Sequence, residues 1–222
     1  MSGLPYLSLF APTRIYPWKK HMALLVPLRA LTVYIGIALG WWGEPVRQEF
    51  ALLRDAHPLF TRCLKGLTDW GNPLLCAVYV GILIRALIYG DRRDVVFCLR
   101  YTLMAVLFLA IVAQIFKYGL GLPRPGVPWP PHPWYSNQYA SFPSGHTAHI
   151  IVSALPLAFR FHRRWCTLSL SLLIAGMGLS RLWLGMHHPI DLFGAVLLGS
   201  LAARLIADSP VTPVQNRLSR QH

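Results

Sequence analysis

The feature that most constrains this chain is a series of long apolar segments separated by short polar ones. A helix needs about 20 mainly apolar residues to cross the hydrocarbon core of a bilayer. Segments of this kind run over about 23–42, 73–90, 95–116, 145–161, 165–184 and 189–207. In lipid, a backbone must satisfy its hydrogen bonds within the segment, which a helix does. The sequence therefore predicts an all-α polytopic membrane bundle of six transmembrane helices.

The polar segment 44–72, between the first two apolar runs, carries a helical pattern of its own. The residues that recur at helical spacing are Phe50, Leu53, His57, Phe60 and Leu64, with charged residues on the other side. This pattern is typical of a helix that lies in the plane of the membrane interface. We therefore expect an amphipathic interfacial helix between the first and second spans. Because no internal repeat or linker is visible, the sequence predicts a single domain over residues 1–222.

The balance of charge favours a membrane protein over a nucleic-acid-binding one. Only 13% of the residues are charged, whereas soluble domains average about 25%. The formal net charge is +13, but the 21 Lys and Arg are spread along the chain, mostly between apolar runs. That distribution fits loops flanking membrane spans better than a DNA-reading face. We expect the chain to be embedded in a lipid bilayer, with no nucleic acid and no obligate protein partner.

The basic loops predict the orientation of the chain in the membrane. The loops at 90–94 and 160–165 are rich in Arg, and the segment before the first span is also basic. With six spans, all three fall on one side, and the positive-inside rule makes that side cytoplasmic. We therefore expect a bacterial-type inner membrane protein with a cytoplasmic N-terminal segment 1–22 and a cytoplasmic tail 208–222. The long loop 117–144 would face the periplasm.

Three polar clusters interrupt the apolar pattern on the expected periplasmic side. They are KYGLGLPRP at 117–125, PSGH at 143–146 and SRLWLGMHHPID at 180–191. They belong to the end of the third span, the start of the fourth, and the junction of the fifth and sixth. In a bundle these positions can converge at one depth, which predicts a single site.

The cations of these clusters indicate an anion-binding site. Lys117, Arg124 and Arg181 would repel one another unless an anion lay among them. Phosphate fits, because Arg binds its oxygens bidentately and Lys adds a point charge. Gly145 allows close backbone approach at the start of a helix, where free N–H groups favour an anion, and the Ser144 hydroxyl adds a donor. The clusters therefore predict a phosphate cradle.

Two histidines are candidates for the chemistry. His187 and Asp191 are four residues apart, which places them on one helix face if the sixth span begins near them. A carboxylate bonded to one ring nitrogen fixes the tautomer and leaves the other nitrogen free to attack. His146 lies in the expected phosphate-binding turn and could protonate a leaving oxygen.

Together the clusters resemble the signature of the type 2 phosphatidic acid phosphatase family, KxxxxxxRP, PSGH and SRxxxxxHxxxD. All three motifs are complete, in order and correctly spaced between residues 117 and 191. The resemblance implies a phosphohydrolase that uses no metal or other cofactor. It implies that His187 forms a phosphohistidine, that Asp191 orients it and that His146 is the general acid. It also implies that the phosphoryl oxygens are held by Lys117, Arg124, Ser144, Gly145 and Arg181.

The implied substrate is a membrane lipid phosphate whose tail stays in the bilayer. Undecaprenyl diphosphate is the first candidate, and phosphatidylglycerophosphate, phosphatidic acid and lipid A phosphates are alternatives. A lipid phosphotransferase would differ only in the acceptor that attacks the phosphohistidine. Outside enzymes, a His-ligated metal or haem protein is an alternative, although three surrounding cations would oppose a bound cation. A transporter is expected to have charges in the middle of its spans, or broken helices in two repeated halves of the chain, and the sequence shows neither.

Two further expectations concern residues near the motifs. The Pro-rich loop before PSGH contains Trp129, Trp134 and Tyr135, which suit the lipid headgroup zone. We interpret the loop as an interface anchor and hypothesise that it borders the lipid entry. His188 is expected to be structural, and His149, one turn after His146, is a weaker candidate for a supporting role.

Overall fold

The computed structural model describes residues 16–161 and 163–207 of the chain. Within these ranges there is no strand, which confirms the all-α fold class. The tail 208–222 and most of the N-terminal segment 1–22, which we expect to be cytoplasmic, lie outside the described residues. The helices are α1 (Trp18–Leu39), α2 (Glu44–Ala56), α3 (Pro58–Tyr89), α4 (Arg92–Ala105), α5 (Ala113–Leu120), α6 (Gly145–Arg160), α7 (Arg164–Trp183) and α8 (Pro189–Ala207).

Five helical stretches of the described ranges are long and apolar enough to cross a membrane. They are α1, α3, α7, α8 and the continuous stretch Arg92–Leu120, in which a π-helical segment, Val106–Val112, joins α4 to α5. The predicted span 145–161 corresponds to α6, but this helix has 16 residues. At 1.5 Å per residue it is about 24 Å long, less than the ~30 Å of the hydrocarbon core. The count of six spans is therefore not confirmed.

The amphipathic segment 44–72 is divided between two helices. α2 ends at Ala56, and α3 begins at Pro58 and continues to Tyr89. Pro58 explains the break, because the residue before a proline disfavours the α conformation while proline itself fits the first position of a new helix. Only α2 forms a separate short helix in this segment, and the helix that contains the predicted second span begins at Pro58.

α6 lies at the centre of the bundle and is enclosed by its neighbours. All of its residues from Thr147 to Ala158 are buried except His149, which is half-buried. A helix that is apolar on every side is typically a core helix. Glycines let α8 approach it closely, since a Cβ on Gly199 would lie 2.8 Å from Cβ of Ile151 in α6. Nearer the start of α8, a Cβ on Gly194 would overlap the ring of Phe142. This contact brings the start of α8 against the segment that leads into α6.

The bundle has a basic end and an end that carries the motifs, and each end is held together by contacts between helices. At the basic end, the buried Asp94 of α4 forms ion pairs of 2.7 Å with Arg85 of α3 and Arg160 of α6. At the other end, the backbone N–H of Ser144, before α6, donates to the backbone carbonyl of Asp191 in α8 at 3.1 Å. The motif segments therefore meet at the end of the bundle remote from the basic loops.

Candidate active site

His187 and Asp191 form a buried pair at the start of α8. The Nδ1 atom of His187 lies 3.1 Å from Oδ2 of Asp191, and both side chains are almost fully buried. An ionised carboxylate can only accept hydrogen bonds, so Nδ1 carries the proton and Nε2 keeps its lone pair. The arrangement therefore leaves Nε2 of a neutral imidazole without a proton, which is the state in which it could act as a nucleophile.

The geometry of this pair comes from a helix cap rather than from a shared helix face. α8 begins at Pro189, so His187 precedes the helix and Asp191 is its third residue. The Asp191 carboxylate reaches back to accept from the backbone N–H of His188 at 2.9 Å. This is the acidic half of a capping box, in which the third residue bonds the N–H of the cap residue. The expectation that both residues share a helix face is corrected, because α8 starts after His187.

Ser141 is a site residue that the sequence analysis missed. Its hydroxyl donates to Asp191 Oδ2 at 2.5 Å, and Ser141 is fully buried. Asp191 Oδ2 thus accepts three hydrogen bonds, while Oδ1 is buried without a hydrogen-bond partner among the described residues. A serine in a loop carries no sequence signal of this role, since the contact depends on how the loop folds back on α8.

Burial sets the ionisation of His187. The buried environment lowers the pKa of His187 to about 4, and the hydrogen bond and charge of Asp191 partly oppose this effect. The positive charges of Arg124 and Arg181 lower the pKa further. His187 is therefore neutral at physiological pH.

The lowered pKa of His187 predicts an unusual acid limb in the pH profile. Neutral His187 is lost only as pH falls through its pKa of about 4, so protonation of His187 is expected to cause no decline in kcat/KM between neutral pH and that value. The measurement is kcat/KM for phosphate release against pH, with the ionisation of the substrate followed separately by 31P chemical shift. A decline near pH 6.5, the ordinary imidazole value, that the substrate does not account for would contradict a buried, neutral nucleophile.

Lys117 lies against the start of α6. A Cβ atom placed on Gly145 would be 3.3 Å from Nζ of Lys117, so glycine leaves room for the ammonium group beside the backbone. Ser144, the residue before α6, is buried, and its hydroxyl is 3.0 Å from that of Thr147. The end of α5 and the first turn of α6 thus place an ammonium, a hydroxyl and helix-terminal N–H groups together.

Arg181, near the end of α7, is a buried cation. Its side chain is 4% exposed, and its Nε atom has no hydrogen-bond partner among the described residues. Within the same ranges, the ion pairs include none to Arg181. A buried charge without a partner is costly, and an anionic ligand would reduce this cost.

Arg124 is held by the backbone of the loop. Its Nε donates to the carbonyl of Asn137 at 2.9 Å, with longer contacts of 3.5 Å to the carbonyls of Ala140 and Met186. Burial lowers the pKa of Arg124, and the nearby Asp191 raises it. Arg124 therefore joins the loop to the turn that carries His187, in addition to contributing charge to the site.

His146, the proposed acid, lies in the first turn of α6 with an exposed side chain. Its backbone carbonyl accepts from Nδ2 of Asn72, a buried residue of α3, at 3.3 Å. Asn72 was not identified from the sequence, because an isolated Asn in an apolar run gives no spacing signal. The exposed ring is open to solvent, which suits a group that exchanges protons with water.

The two neighbouring histidines have different surroundings. His188 is buried, accepts from the N–H of Gly43 at 3.3 Å and bonds the backbone of Pro123. It therefore links the α1–α2 connection to the loop before α6. His149 instead lies beside the Cys76 thiol and the Tyr101 hydroxyl, at 3.6 and 3.4 Å. No contact between the rings of His149 and His146 occurs among the hydrogen bonds of the described residues.

Comparison with known proteins places this membrane bundle, with its polar site at one end, in a family. The sequence model of the PAP2 superfamily matches residues 98–212, which contain all three polar clusters. The chain belongs to the PAP2 superfamily. The resemblance that the three motifs carry is thereby confirmed. No solved structure gives a significant match to the chain.

Three curated relatives are similar over a shorter region. The bacitracin transport permease protein BcrC of Bacillus licheniformis is 42% identical over 66 residues, 30% of this chain and 32% of the relative. The lipid A 4'-phosphatase of Bacteroides thetaiotaomicron is 33% identical over 82 residues, 32% and 36% of the two chains. The undecaprenyl-diphosphatase BcrC of Bacillus subtilis is 35% identical over 71 residues, 29% and 35%. The chain thus matches about a third of the length of each relative.

Proposed function

We propose that this protein is a membrane lipid phosphatase that works through a phosphohistidine on His187. The observation that carries the proposal is the buried His187–Asp191 pair, whose Nδ1–Oδ2 contact of 3.1 Å leaves Nε2 available beside the cations Arg124 and Arg181. A histidine held in this way is an activated nucleophile, and the surrounding positive charge suits a phosphoryl group. Membership of the PAP2 superfamily supports this assignment.

The proposed reaction has two steps. Nε2 of His187 attacks phosphorus, the bond from phosphorus to the leaving oxygen breaks, and His146 gives its proton to that oxygen. The neutral His146 then takes a proton from a water molecule, which attacks the phosphohistidine and releases inorganic phosphate. Breaking the N–P bond returns the electron pair to Nε2 of His187. Asp191 holds the Nδ1 proton and stabilises the positive charge that the ring gains on phosphorylation.

The cations act on the charge of the phosphoryl group. In this proposal, Lys117, Arg124 and Arg181 hold its oxygens, together with the Ser144 hydroxyl and the backbone of Gly145. Preorganised donors are most effective where charge develops in the transition state. The position of Lys117 beside Gly145 supports this assignment, as does the burial of Arg181, which forms no ion pair within the described ranges.

The names of the relatives guide the choice of substrate and location. One relative is an undecaprenyl-diphosphatase and another a lipid A 4'-phosphatase, so a bacterial membrane lipid with a terminal phosphate is the proposed class. Undecaprenyl diphosphate is the first candidate. The chain is proposed to act as one unit in the inner membrane, with cytoplasmic termini and the site on the periplasmic face. The Arg-rich loops at the end remote from the motifs support this orientation.

Phosphate release in excess chelator tests the proposed function. Among the described residues, no three His, Cys, Asp or Glu side chains are grouped so that they could hold a metal ion. We expect release from a lipid phosphate by the detergent-purified protein to persist in EDTA. The panel is undecaprenyl diphosphate, lipid A 4'-phosphate, phosphatidylglycerophosphate, phosphatidic acid and a soluble monoester. Loss of activity in EDTA that zinc or magnesium restores, or release from none of the lipids, would contradict the proposal.

A further inference from the structure

A cavity outside the phosphate cradle lies between the α1–α2 connection and the loop before α6. Its volume is about 320 Å³, and its lining includes Glu44, Arg47, Arg124, Gly126, Trp129 and His188. This volume is within the range of small-molecule sites, about 300–1,000 Å³. Arg124 of the proposed cradle and His188, the neighbour of His187, form one side of this cavity, which we call the Arg47 cavity.

The walls of the Arg47 cavity are fixed by contacts across the two segments. His188 bonds Gly43 on one side and the backbone of Pro123 on the other. Gly126 has a φ of +84°, and a Cβ placed on it would lie 3.0 Å from Cδ of Arg47, so the loop packs directly against that side chain. The cavity is therefore part of the folded structure rather than a gap between loose segments.

The ionised groups of the cavity favour an anion. Arg47 and Arg124 are cations, Glu44 is an anion, and burial lowers the pKa of His188 so that it is neutral at physiological pH. One net positive charge therefore remains on the lining. Glu44 accepts from Nε of Arg47 at 2.7 Å, which orients the guanidinium but consumes part of its hydrogen-bonding capacity.

The position of Arg124 limits what the anion can be. Arg124 belongs to the proposed cradle for the reacting phosphoryl group and also lines the Arg47 cavity. Its guanidinium has five N–H donors, of which three are directed at carbonyl oxygens of the backbone. Because the cradle and the cavity share Arg124, a substrate group bound in the cavity must lie close to the reacting phosphate and be joined to it by a short link. The second phosphate of a diphosphate is joined in this way.

We propose that the Arg47 cavity binds the second, uncleaved phosphate of a lipid diphosphate, with Arg47 as its main ligand. This inference rests on the proposed function and narrows its substrate to diphosphates. In this assignment Trp129 lines the cavity, and its ring lies 6.1 Å from that of Trp42. The cavity thereby distinguishes lipid diphosphates from lipid monophosphates, which have no group to place there.

Binding of two matched phosphonates, without turnover, tests the proposal. Methylenediphosphonate carries two phosphorus groups joined by a bond that hydrolysis does not break, and methylphosphonate carries one. Calorimetry on the wild-type protein is expected to show tighter binding of the diphosphonate by about tenfold, the size of one charge-assisted interaction. Arg47→Gln should remove most of this advantage, whereas Glu44→Gln should increase it because the net positive charge rises.

A surface arginine provides the control. Arg62, in the first turns of α3, is exposed, and Arg62→Gln removes the same charge away from the cavity. In Arg62→Gln, the ratio of the affinity for methylenediphosphonate to the affinity for methylphosphonate is expected to equal that of the wild type. Arg47 and Glu44 are themselves partly exposed, with side-chain exposures of 41% and 44%, so the variants should fold, which melting temperatures would check.

Three outcomes would overturn the proposal. They are an unchanged diphosphonate preference in Arg47→Gln, no preference in the wild type, and weaker diphosphonate binding in Glu44→Gln. The third result would point to an uncharged hydroxylated headgroup held by the Arg47–Glu44 pair. Because binding is measured without turnover, a protein that prefers the diphosphonate but hydrolyses no lipid would refute the proposed function while supporting the anion site.

Discussion

Replacing His187 with alanine is expected to reduce phosphate release by roughly 10⁴-fold or more, the order of loss seen when a catalytic nucleophile is removed. His187 is the residue whose Nδ1 bonds a buried carboxylate and whose Nε2 is left free beside the charges of two arginines. The measurement is the rate of release from the best lipid of the panel in EDTA. Reactions with labelled substrate would be quenched in alkali, in which phosphohistidine survives. The wild-type protein is expected to carry the label, and His187→Ala is expected to carry none.

An exposed histidine on the same side of the bundle is the matched control. His57, between α2 and α3, is exposed, and His57→Ala should release phosphate at the wild-type rate and retain the label. Label that persists in His187→Ala would show that another residue is phosphorylated. Release without label in the wild type, at a rate that His187→Ala preserves, would indicate direct attack by water.

Replacing Asp191 with asparagine is expected to reduce kcat by about 10³- to 10⁴-fold, with a smaller effect on KM. The carboxylate accepts from Ser141, from Nδ1 of His187 and from the His188 N–H at 2.5, 3.1 and 2.9 Å. An amide has the same shape but cannot balance the charge of a phosphorylated imidazole. Its NH₂ would take the place of Oδ1, which has no partner within the described ranges, so the amide oxygen can keep the three hydrogen bonds of Oδ2.

Ser141→Ala separates the charge of Asp191 from its hydrogen bonds. This variant removes the 2.5 Å donor but leaves the carboxylate charged and bonded to His187. We expect a loss of only about tenfold in kcat, close to the value of one hydrogen bond to a charged group. Both kcat and the melting temperature should be measured for the two variants. A loss in Ser141→Ala as large as that in Asp191→Asn would mean that loop position, rather than carboxylate charge, controls the reaction.

The sequence predicted the positions of the helices well where the pattern was long and periodic. The start of the last span at 189 agrees with α8, because Pro189 is a strong start signal and the apolar run that follows is uninterrupted. The helix that contains the predicted second span, 73–90, begins 15 residues earlier, at Pro58. The charged residues that precede Pro73 resembled an interfacial helix, yet α3 includes them, since an exposed polar turn can extend a helix beyond the bilayer.

The candidate site was predicted as a set of residues but not as a geometry. The spacing of His187 and Asp191 suggested a shared helix face, whereas the structure uses a cap in which the carboxylate turns back on the helix start. Ser141 and Asn72 could not be identified, because each reaches the site through a contact between segments distant in sequence. Neither residue belongs to a spacing pattern that a local analysis could recognise.

The sequence by itself determined the class of fold and the chemical groups of the site, because hydropathy and motif spacing are local properties of the chain. The tertiary structure decided how these groups meet. Packing of α8 against α6 sets the partners of Asp191, and the return of the loop onto the α1–α2 connection creates the Arg47 cavity. The physical reason is that burial and long-range hydrogen bonds arise only when separate segments exclude solvent from each other.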